Sequence, residues 1–567
     1  MESNSSKKQI LKEIFGYDSF RKGQEEIVDQ ILNGRDVLAI MPTGAGKSLC
    51  YQVPALLMSG ITIVVSPLIS LMIDQVKALN EAGVHAAYIN SALTERQITK
   101  ALELAAAGRY KMIYVAPERL LTPRFLDFAC HTELSMVTID EAHCISQWGQ
   151  DFRPSYVKIT EFIRQLPRRP VVSAFTATAT QKVREDILEV LDLESPYINV
   201  SGFDRENLYF EVRPARGKKE AIKEYLTQHR EDSGIIYCAT RKNVDELYLE
   251  LQNAGFSVGR YHAGMGTEAR NESQEDFIYD RTEIMIATNA FGMGIDKSNV
   301  RFVLHYNMPQ SMENYYQEAG RAGRDGLDSK CILLFSPQDI VINRGLLEHK
   351  EMPELDFADR QTVRERDMQR LQSMEGYCYT TECLRNYILK YFGENPKKPC
   401  EDCGNCLREF ETLDMTDAAK KIINCVYEAR GRYGKIIIRD TVLGAKTARL
   451  EEVGAIHYKS YGVLSDANKK LLRRLIEQMI LEKYLVVGNY QVIKMGDISP
   501  LKDPETKVLV KITDEDKQPE KAAKTKKKAR SVETLTSSGY KLFERLKKLR
   551  LEIAREESMP PYIIFSD

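Results

Sequence analysis

The chain has 567 residues, above the roughly 250–300 at which a single hydrophobic core stops growing, so it is expected to divide into several domains. Hydrophobic residues make up 43%, enough for such cores, and 80 basic against 81 acidic side chains leave a net charge of −1; this neither supports nor excludes a nucleic-acid partner, which needs only a local basic face. No apolar run reaches the roughly 18 residues of a membrane span, MESNSSKKQILKEIF lacks the apolar stretch of a secretory signal, and 11 cysteines, four of them clustered, favour a reducing cytosol and a metal site over a disulfide framework.

From about Gly34 to Ser173 one event recurs: a short apolar run stops at small, polar or charged residues and a helical stretch follows. DVLAIMPTGAGKS, ITIVVSPLIS, MIYVAPERL, MVTIDEAH and VVSAFTATAT all have this form. They predict a parallel sheet covered on both faces, with ligands at the carboxyl ends of its strands. A second series after about Arg205 (SGIIYCATR, VGRYHAG, EIMIATNAFGMGID, VRFVLHYNMP and CILLFS) predicts a second α/β domain and a ligand cleft between the two. Beyond about Ile340 come a charged helix, a cysteine cluster, and a helical region over 409–512 that closes on a strand pair around YLVVGNYQVIKM. DKQPEKAAKTKKKARSVETLTSSG is charged and poor in apolar residues, hence a linker. A helical pattern resumes at Lys541 and stops at PPYIIFSD, too soon for a domain.

MPTGAGKS, Met41 to Ser48, ends a strand and opens a helix. The general phosphate-loop pattern wants Gly where Met41 stands. The rest is present: Gly44 and Gly46 let backbone N–H groups wrap phosphates, Lys47 reaches the β/γ oxygens, and Ser48 offers a hydroxyl to Mg²⁺. Alone, this run could be an ordinary glycine-rich turn. TIDEAH adds Asp140, a carboxylate for Mg²⁺, and Glu141, one able to orient or deprotonate water. Buried neighbouring carboxylates without a metal would be costly. In QEAGRAGRDG, Arg321 and Arg324 are three apart, hence on one helical face; they suit a γ-phosphate across a cleft, the alternative being a surface ion-pair cluster. Cys383, Cys400, Cys403 and Cys406, spaced C-x16-C-x2-C-x2-C, suit a closed tetrahedral zinc site, with Cys378 outside the pattern.

In this order, and over nearly the whole chain, these motifs resemble the RecQ family of superfamily 2 DNA helicases, bacterial type. FGYDSFRKGQ, MPTGAGKS, VSPLISLMIDQ, DEAH, FTATAT, YCATR, ATNAFGMGIDK and QEAGRAGRDG resemble its successive motifs. The resemblance implies a multidomain α/β chain: RecA-like domains over 1–205 and 206–343, a helical zinc module over 344–408, a winged-helix domain over 409–515, a charged linker over 516–540, and the start of a helical HRDC domain over 541–567. It implies ATP held by Met41, Pro42, Thr43, Gly44, Ala45, Gly46, Lys47 and Ser48, adenine between Tyr17 and Arg21 and bonded to Gln24, and the ribose on Asp296. Gln317, Arg321 and Arg324 would face the phosphates, with Arg324 the arginine finger. Ser70, His143, Thr178, Arg241 and Thr288 would belong to the DNA-binding and coupling motifs.

SQWGQDFRP resembles the family's aromatic-rich loop, which implies a sensor of single-stranded DNA that relays its presence to the ATP site. Trp148 and Phe152 offer flat faces for base stacking, and Gln147, Asp151 and Arg153 are polar levers a few residues from Asp140 and Glu141. The rival reading of Trp148 is a half-buried packing residue. In the region that resembles a winged helix, Arg439, Lys446, Arg449 and Lys459 would neutralise phosphates without reading sequence. Tyr490, at the tip of the wing, would either stack on the terminal base pair as a separation pin or pack against its neighbours.

The chain thus reads as an ATP-dependent DNA helicase, using ATP, Mg²⁺ and Zn²⁺, that moves 3′→5′ on single strands and unwinds duplexes in recombination, repair and replication-fork maintenance. Polarity and substrate come from the resemblance. So do the further partners (single-stranded-DNA-binding protein and a topoisomerase), a monomeric state, a cytoplasmic, nucleoid-associated location and a link to the SOS response. Two rival classes are an RNA helicase and a DNA-binding scaffold that uses ATP only as a switch.

Overall fold

The computed structural model describes residues 2–512 except 150, 216, 292–296, 351, 353, 354, 356, 489–491 and 504, together with 545, 546, 548–550, 552 and 553. Seven parallel strands form a first sheet: β1 Val37–Ile40, β2 Ile61–Val65, β3 Ala86–Ile89, β4 Met112–Val115, β5 Leu134–Ile139, β6 Val171–Thr176 and β7 Tyr197–Val200, in the spatial order β3-β4-β2-β5-β6-β1-β7. Six more form a second parallel sheet: β8 Leu208–Pro214, β9 Gly234–Tyr237, β10 Val258–Tyr261, β11 Ile284–Ala287, β12 Phe302–His305 and β13 Ser329–Phe335, in the order β10-β11-β9-β12-β13-β8. The two α/β domains predicted from the apolar runs are present.

Strands β1, β2 and β4 are buried along their whole length because helices cover both faces, which is why they read as unbroken apolar runs. Within these two sheets the strands missing from the sequence reading, β3, β7 and β8, are all edge strands. In β8 burial alternates residue by residue and the outward positions include Glu211 and Arg213, so half the strand carries no apolar signal, whereas the exposed positions of β7 are the apolar Ile198 and Val200.

In the first domain the helices Gln24–Leu32, Lys47–Leu57 and Ile69–Glu81 contribute Ile27, Ile31, Tyr51 and Met72 to a core with Val37, Ala39, Val64 and Phe175. In the second, Ile222, Leu226, Val244, Leu247 and Leu251 pack on Ile236, Ile286, Phe302 and Leu304. Each such burial is worth about 1.5–3 kcal/mol. The consequence for function is geometric. Parallel strands of one sheet end on one side, so the turns after β1, β5 and β6 lie together.

A second compact unit takes in residues 375–384 and, among those described, 399–512. It holds the four clustered cysteines and the helices Thr416–Ala429, Lys435–Val442, Ala448–Glu452 and Lys469–Leu481, packed through Ile422, Val426, Ile438, Leu472, Leu475 and Met479. Glu411–Asp414 pairs antiparallel with Leu509–Ile512, and Leu485–Val487 with Ile493–Met495; the latter is the predicted strand pair. Asp296, Tyr490, the linker at 516–540 and most of 541–567 lie outside the described residues. No helix among the described residues is long and apolar enough to cross a membrane.

Candidate ATP site, coupling loop and zinc centre

The turn after β1 is the phosphate loop. Gly44 and Gly46 have φ of 82° and 75°, a left-handed conformation that only glycine adopts cheaply. There is also little room for side chains. A Cβ on Gly44 would lie 3.1 Å from Arg324 Cγ, and one on Gly46 would meet the Gln24 amide nitrogen. The helix Lys47–Leu57 starts on this loop, so its first N–H groups are free to receive a phosphate there. Lys47 Nζ donates to the Met41 carbonyl at 3.3 Å; burial holds its pKa below the usual lysine range, against the pull of Glu141 and Asp140.

Gln24 Nε2 donates to the carbonyls of Ala45 (2.9 Å) and Gly46 (3.2 Å), and its Oε1 accepts from Arg21 N at 2.7 Å. Both ends of the amide expected to read adenine are engaged with the protein here. Arg21 Nη1 donates to the Gly44 carbonyl, and Tyr17 is 51% exposed with a ring face available to a base.

Asp140 follows β5, its N–H donating to Val65 O at 2.9 Å and its carbonyl accepting from Tyr156 OH at 3.1 Å. Glu141 stands at φ 48°, ψ 47°, a left-handed conformation that costs a non-glycine residue about 1–3 kcal/mol and is characteristic of working sites. Burial and then the Glu141 charge push Asp140 up, to about 7. Burial would raise Glu141 too, but the hydrogen bond and charge of His143, with Lys47 and Arg321, outweigh it and hold Glu141 at about 2. A buried carboxylate whose charge is only partly countered, beside one kept ionised, suits a cation on the first and a water on the second.

In the second domain the structure departs from the helical placement expected of Arg321 and Arg324. The helix Met312–Ala319 ends before both arginines, and Arg321 and Arg324 sit in the turn that follows, where Gly323 takes φ 57°. They do not share a helical face. Both still act on the first domain's site: Arg324 packs over Gly44 and its charge acts on Lys47, while that of Arg321 acts on Glu141.

A polar chain joins the two domains. His143 Nδ1 lies 3.3 Å from Glu141 Oε2 and 2.9 Å from Thr176 Oγ1; Thr178 N donates to Thr176 Oγ1 at 3.3 Å; Gln317 Nε2 donates to Thr178 Oγ1 at 3.1 Å.

Sequence reasoning missed Arg205. Its Nη1 donates to the Thr43 carbonyl (3.3 Å) in the phosphate loop and to Gly320 O (3.4 Å), and its Nη2 to Ala322 O (3.1 Å) and Gly323 O (2.9 Å). The only signal was a cation at the boundary between the two α/β series. Arg205→Ala is expected to lower kcat for ATP hydrolysis by about 10²-fold with little change in nucleotide affinity, because it loosens the approach of one domain's arginines to the other's phosphate loop. Steady-state kinetics beside a nucleotide-binding titration checks this.

The turn beyond Glu141 carries the aromatic loop. Trp148 is 37% exposed, with the Arg366 guanidinium carbon 3.9 Å from its ring centroid; Phe152 is half-buried. Arg153 donates from Nη1 to Pro67 O and from its backbone to Cys144 O, both at 2.9 Å. Ser70 and Arg241 are exposed at helix starts, whereas Thr178 and Thr288 are buried. In the second unit Lys446, Arg449 and Lys459 are exposed, Arg449 pairing with Glu452 at 2.7 Å. Arg439 shares its charge with Asp440 Oδ1 at 2.7–2.8 Å and is the least suited of the four to a phosphate.

The Sγ atoms of Cys383, Cys400, Cys403 and Cys406 all lie within 4.8 Å of one another, with Cys400–Cys406 at 3.9 Å and Cys383–Cys403 at 4.0 Å. A tetrahedral zinc with Zn–S bonds of about 2.3 Å needs sulfurs about 3.8 Å apart. The four thiols fit that ion. The Leu384 N–H donates to Cys403 Sγ (3.2 Å) and the Cys400 N–H to Cys383 Sγ (3.3 Å), which supports thiolate character.

Two parallel α/β domains with a phosphate loop and paired carboxylates on one, and arginines on the other reaching over that loop, define a superfamily 2 helicase motor. Comparison with known proteins agrees. The DEAD/DEAH box helicase family matches residues 21–187, the helicase conserved C-terminal domain 217–326, the RecQ zinc-binding family 337–407, the RQC domain 409–519 and the HRDC domain 540–567. The chain is 42% identical to the ATP-dependent DNA helicase RecQ of Bacillus subtilis, over 98% of this chain and 91% of that one. With the RecQ of Pasteurella multocida it shares 37%, over 98% and 87%. Among solved structures, the helicase MrfA bound to DNA and AMPPNP aligns over 64% of this chain and 56% of that one, with a TM-score of 0.52 at 17% identity, a likeness of fold. The chain belongs to the RecQ family. It is an ATP-dependent DNA helicase that carries zinc.

Proposed function

We propose that the chain moves 3′→5′ along single-stranded DNA by opening and closing the cleft between its two α/β domains around ATP. The observation that carries this is the contact of Arg324 with the phosphate loop at Gly44, beside the chain of polar contacts from Glu141 to Gln317. Gly44, Gly46 and Lys47 hold the phosphates; Ser48 and Asp140 hold Mg²⁺, which neutralises developing phosphate charge; Glu141 orients or deprotonates the attacking water; Arg324 completes the site as the finger, with Arg321 and Gln317 beside it. Tyr17 and Arg21 flank the adenine, and Gln24 acts chiefly by shaping the loop. The loop at 146–153 registers DNA through Trp148. The exposed cations Lys446, Arg449 and Lys459 meet duplex phosphates. The domain division from the sequence is kept as proposed, as are a monomeric state, association with single-stranded-DNA-binding protein, a topoisomerase and the nucleoid, and a link to the SOS response; these rest on family resemblance alone.

The test is ATP hydrolysis with single-stranded DNA, with RNA of the same sequence, and with neither, on wild type and Trp148→Ala. Strong stimulation of wild type by DNA, reduced about 10–100-fold in a variant that still binds DNA, is the expected result. Equal stimulation by RNA would move the reading to an RNA helicase, and no stimulation at all would favour the scaffold.

A further inference from the structure

The helix Phe357–Tyr379 faces the Trp148 loop with charges that the motor reading leaves unused. Arg366 lies flat on one face of the Trp148 ring, 3.9 Å from its centroid, and its Nη1 also donates to Gln147 Oε1 at 2.8 Å. Four residues on, and so on the same side of the helix, Arg370 is 8% exposed and donates from Nη1 to the Trp148 carbonyl at 2.7 Å. Arg370 is itself ion-paired to Asp367, whose other oxygen is 3.5 Å from Lys350 Nζ. On the far side, Trp148 N donates to Ser146 Oγ (3.0 Å), and Ser146 Oγ to Asp186 Oδ2 (2.6 Å). Behind the ring, a Cβ on Gly149 would fall on the His143 carbonyl, so the loop is pressed against the residue that links Glu141 to Thr176. With one ring face covered by Arg366 and the residue still 37% exposed, the free surface of Trp148 lies away from Arg366.

We propose that Arg366 is a positioning residue for DNA-stimulated ATP hydrolysis: it backs the Trp148 ring, so that a base stacking on the open face moves the loop as a unit against His143 instead of tilting the ring alone. The inference rests on the reading of this loop as the DNA sensor. It makes the helix Phe357–Tyr379, not only the two α/β domains, part of what sets the response to DNA. Arg370 anchors the loop backbone, so Arg366 is the member that can be altered without releasing the carbonyl. A lysine would keep the cation but lose the planar stack on the Trp148 ring.

Trp148 is the only tryptophan of the chain, so indole emission reports on this ring alone. Arg366→Ala is expected to raise quenching of that emission by acrylamide, because a second ring face opens. It is also expected to lower the ratio of DNA-stimulated to unstimulated ATP hydrolysis about tenfold, with Arg366→Lys intermediate on both measures. Arg366→Gln serves as a second variant, smaller in its effect on folding, and melting temperature is recorded for each; a merely structural arginine would shift the melt and leave the stimulation ratio in place. Wild-type quenching and a wild-type stimulation ratio in the folded Ala or Gln variant would overturn the proposal. Trp148→Ala in parallel separates the two readings. If it loses stimulation while the Arg366 variants keep it, only the role of Arg366 falls; if it keeps stimulation, the sensor reading itself falls.

Discussion

Arg324→Ala is expected to lower kcat for DNA-stimulated ATP hydrolysis by on the order of 10³-fold or more while leaving ATP affinity within a few fold. The Arg324 side chain crosses the phosphate loop so closely that a Cβ on Gly44 would lie only 3.1 Å from its Cγ, and its charge acts on the buried Lys47. A cation so placed contributes most where charge develops on the transferring phosphoryl group, so its loss falls on kcat and spares ground-state binding. Arg324→Lys should recover little, since an ammonium lacks the planar fork that spans two phosphate oxygens. A surface ion-pair role would give nearly wild-type turnover in both variants. Arg321→Ala should resemble Arg324→Ala in kind, because Arg321 acts electrostatically on Glu141. Steady-state kinetics with saturating DNA, beside binding of a non-hydrolysable nucleotide, reads all three variants.

The physical reason the site was legible in the sequence is that its chemistry is local. The phosphate loop, Asp140–Glu141 and the threonines after β6 each follow a strand directly, so a run of apolar residues ending in the right polar ones carries both the fold and the site. Zinc ligation was legible for the same reason, three of its four thiols falling within seven consecutive residues. What escaped depends on contacts far apart in sequence. Arg205 acts through backbone carbonyls more than 100 positions away, and Arg366 through a ring 218 positions away, and neither sits in a motif. The edge strand β8 escaped because solvent on one side removes half the apolar signal, while β3 and β7, each only four residues long, are too short to announce a strand by pattern. The helical placement of Arg321 and Arg324 failed because i, i+3 spacing says nothing once glycines end the helix at Ala319. Gln24 is a different case: its amide nitrogen also donates to the carbonyls of Ala45 and Gly46, which no residue pattern announces.

Cys403→Ala is expected to abolish zinc retention and unfold the segment around 399–407. Cys403 is fully buried at the centre of the cluster and accepts the Leu384 N–H, so it ties the two stretches of the module together as well as supplying a ligand. Within 399–407 there is little else to hold the chain: only Cys403 is buried, the others being exposed or half-buried, whereas Leu384, Ile388 and Leu389 of the preceding helix, and Phe392 just after it, are buried. Folding energy there must come from the metal, and structural zinc supplies about 10–16 kcal/mol, as much as the whole net stability of an ordinary domain. Three remaining thiols would have to recruit water as the fourth ligand, which turns a closed site into an open and weaker one. The measurements are metal content after dialysis against a chelator, thermal unfolding, and limited proteolysis across the cysteine segment; a fall in Tm of more than about 5 °C is expected. Cys378→Ala, outside the ligand set, should retain the metal. Zinc held by Cys403→Ala as tightly as by wild type would mean that three sulfurs suffice, and the closed four-thiolate centre would then be the wrong description of how this module folds.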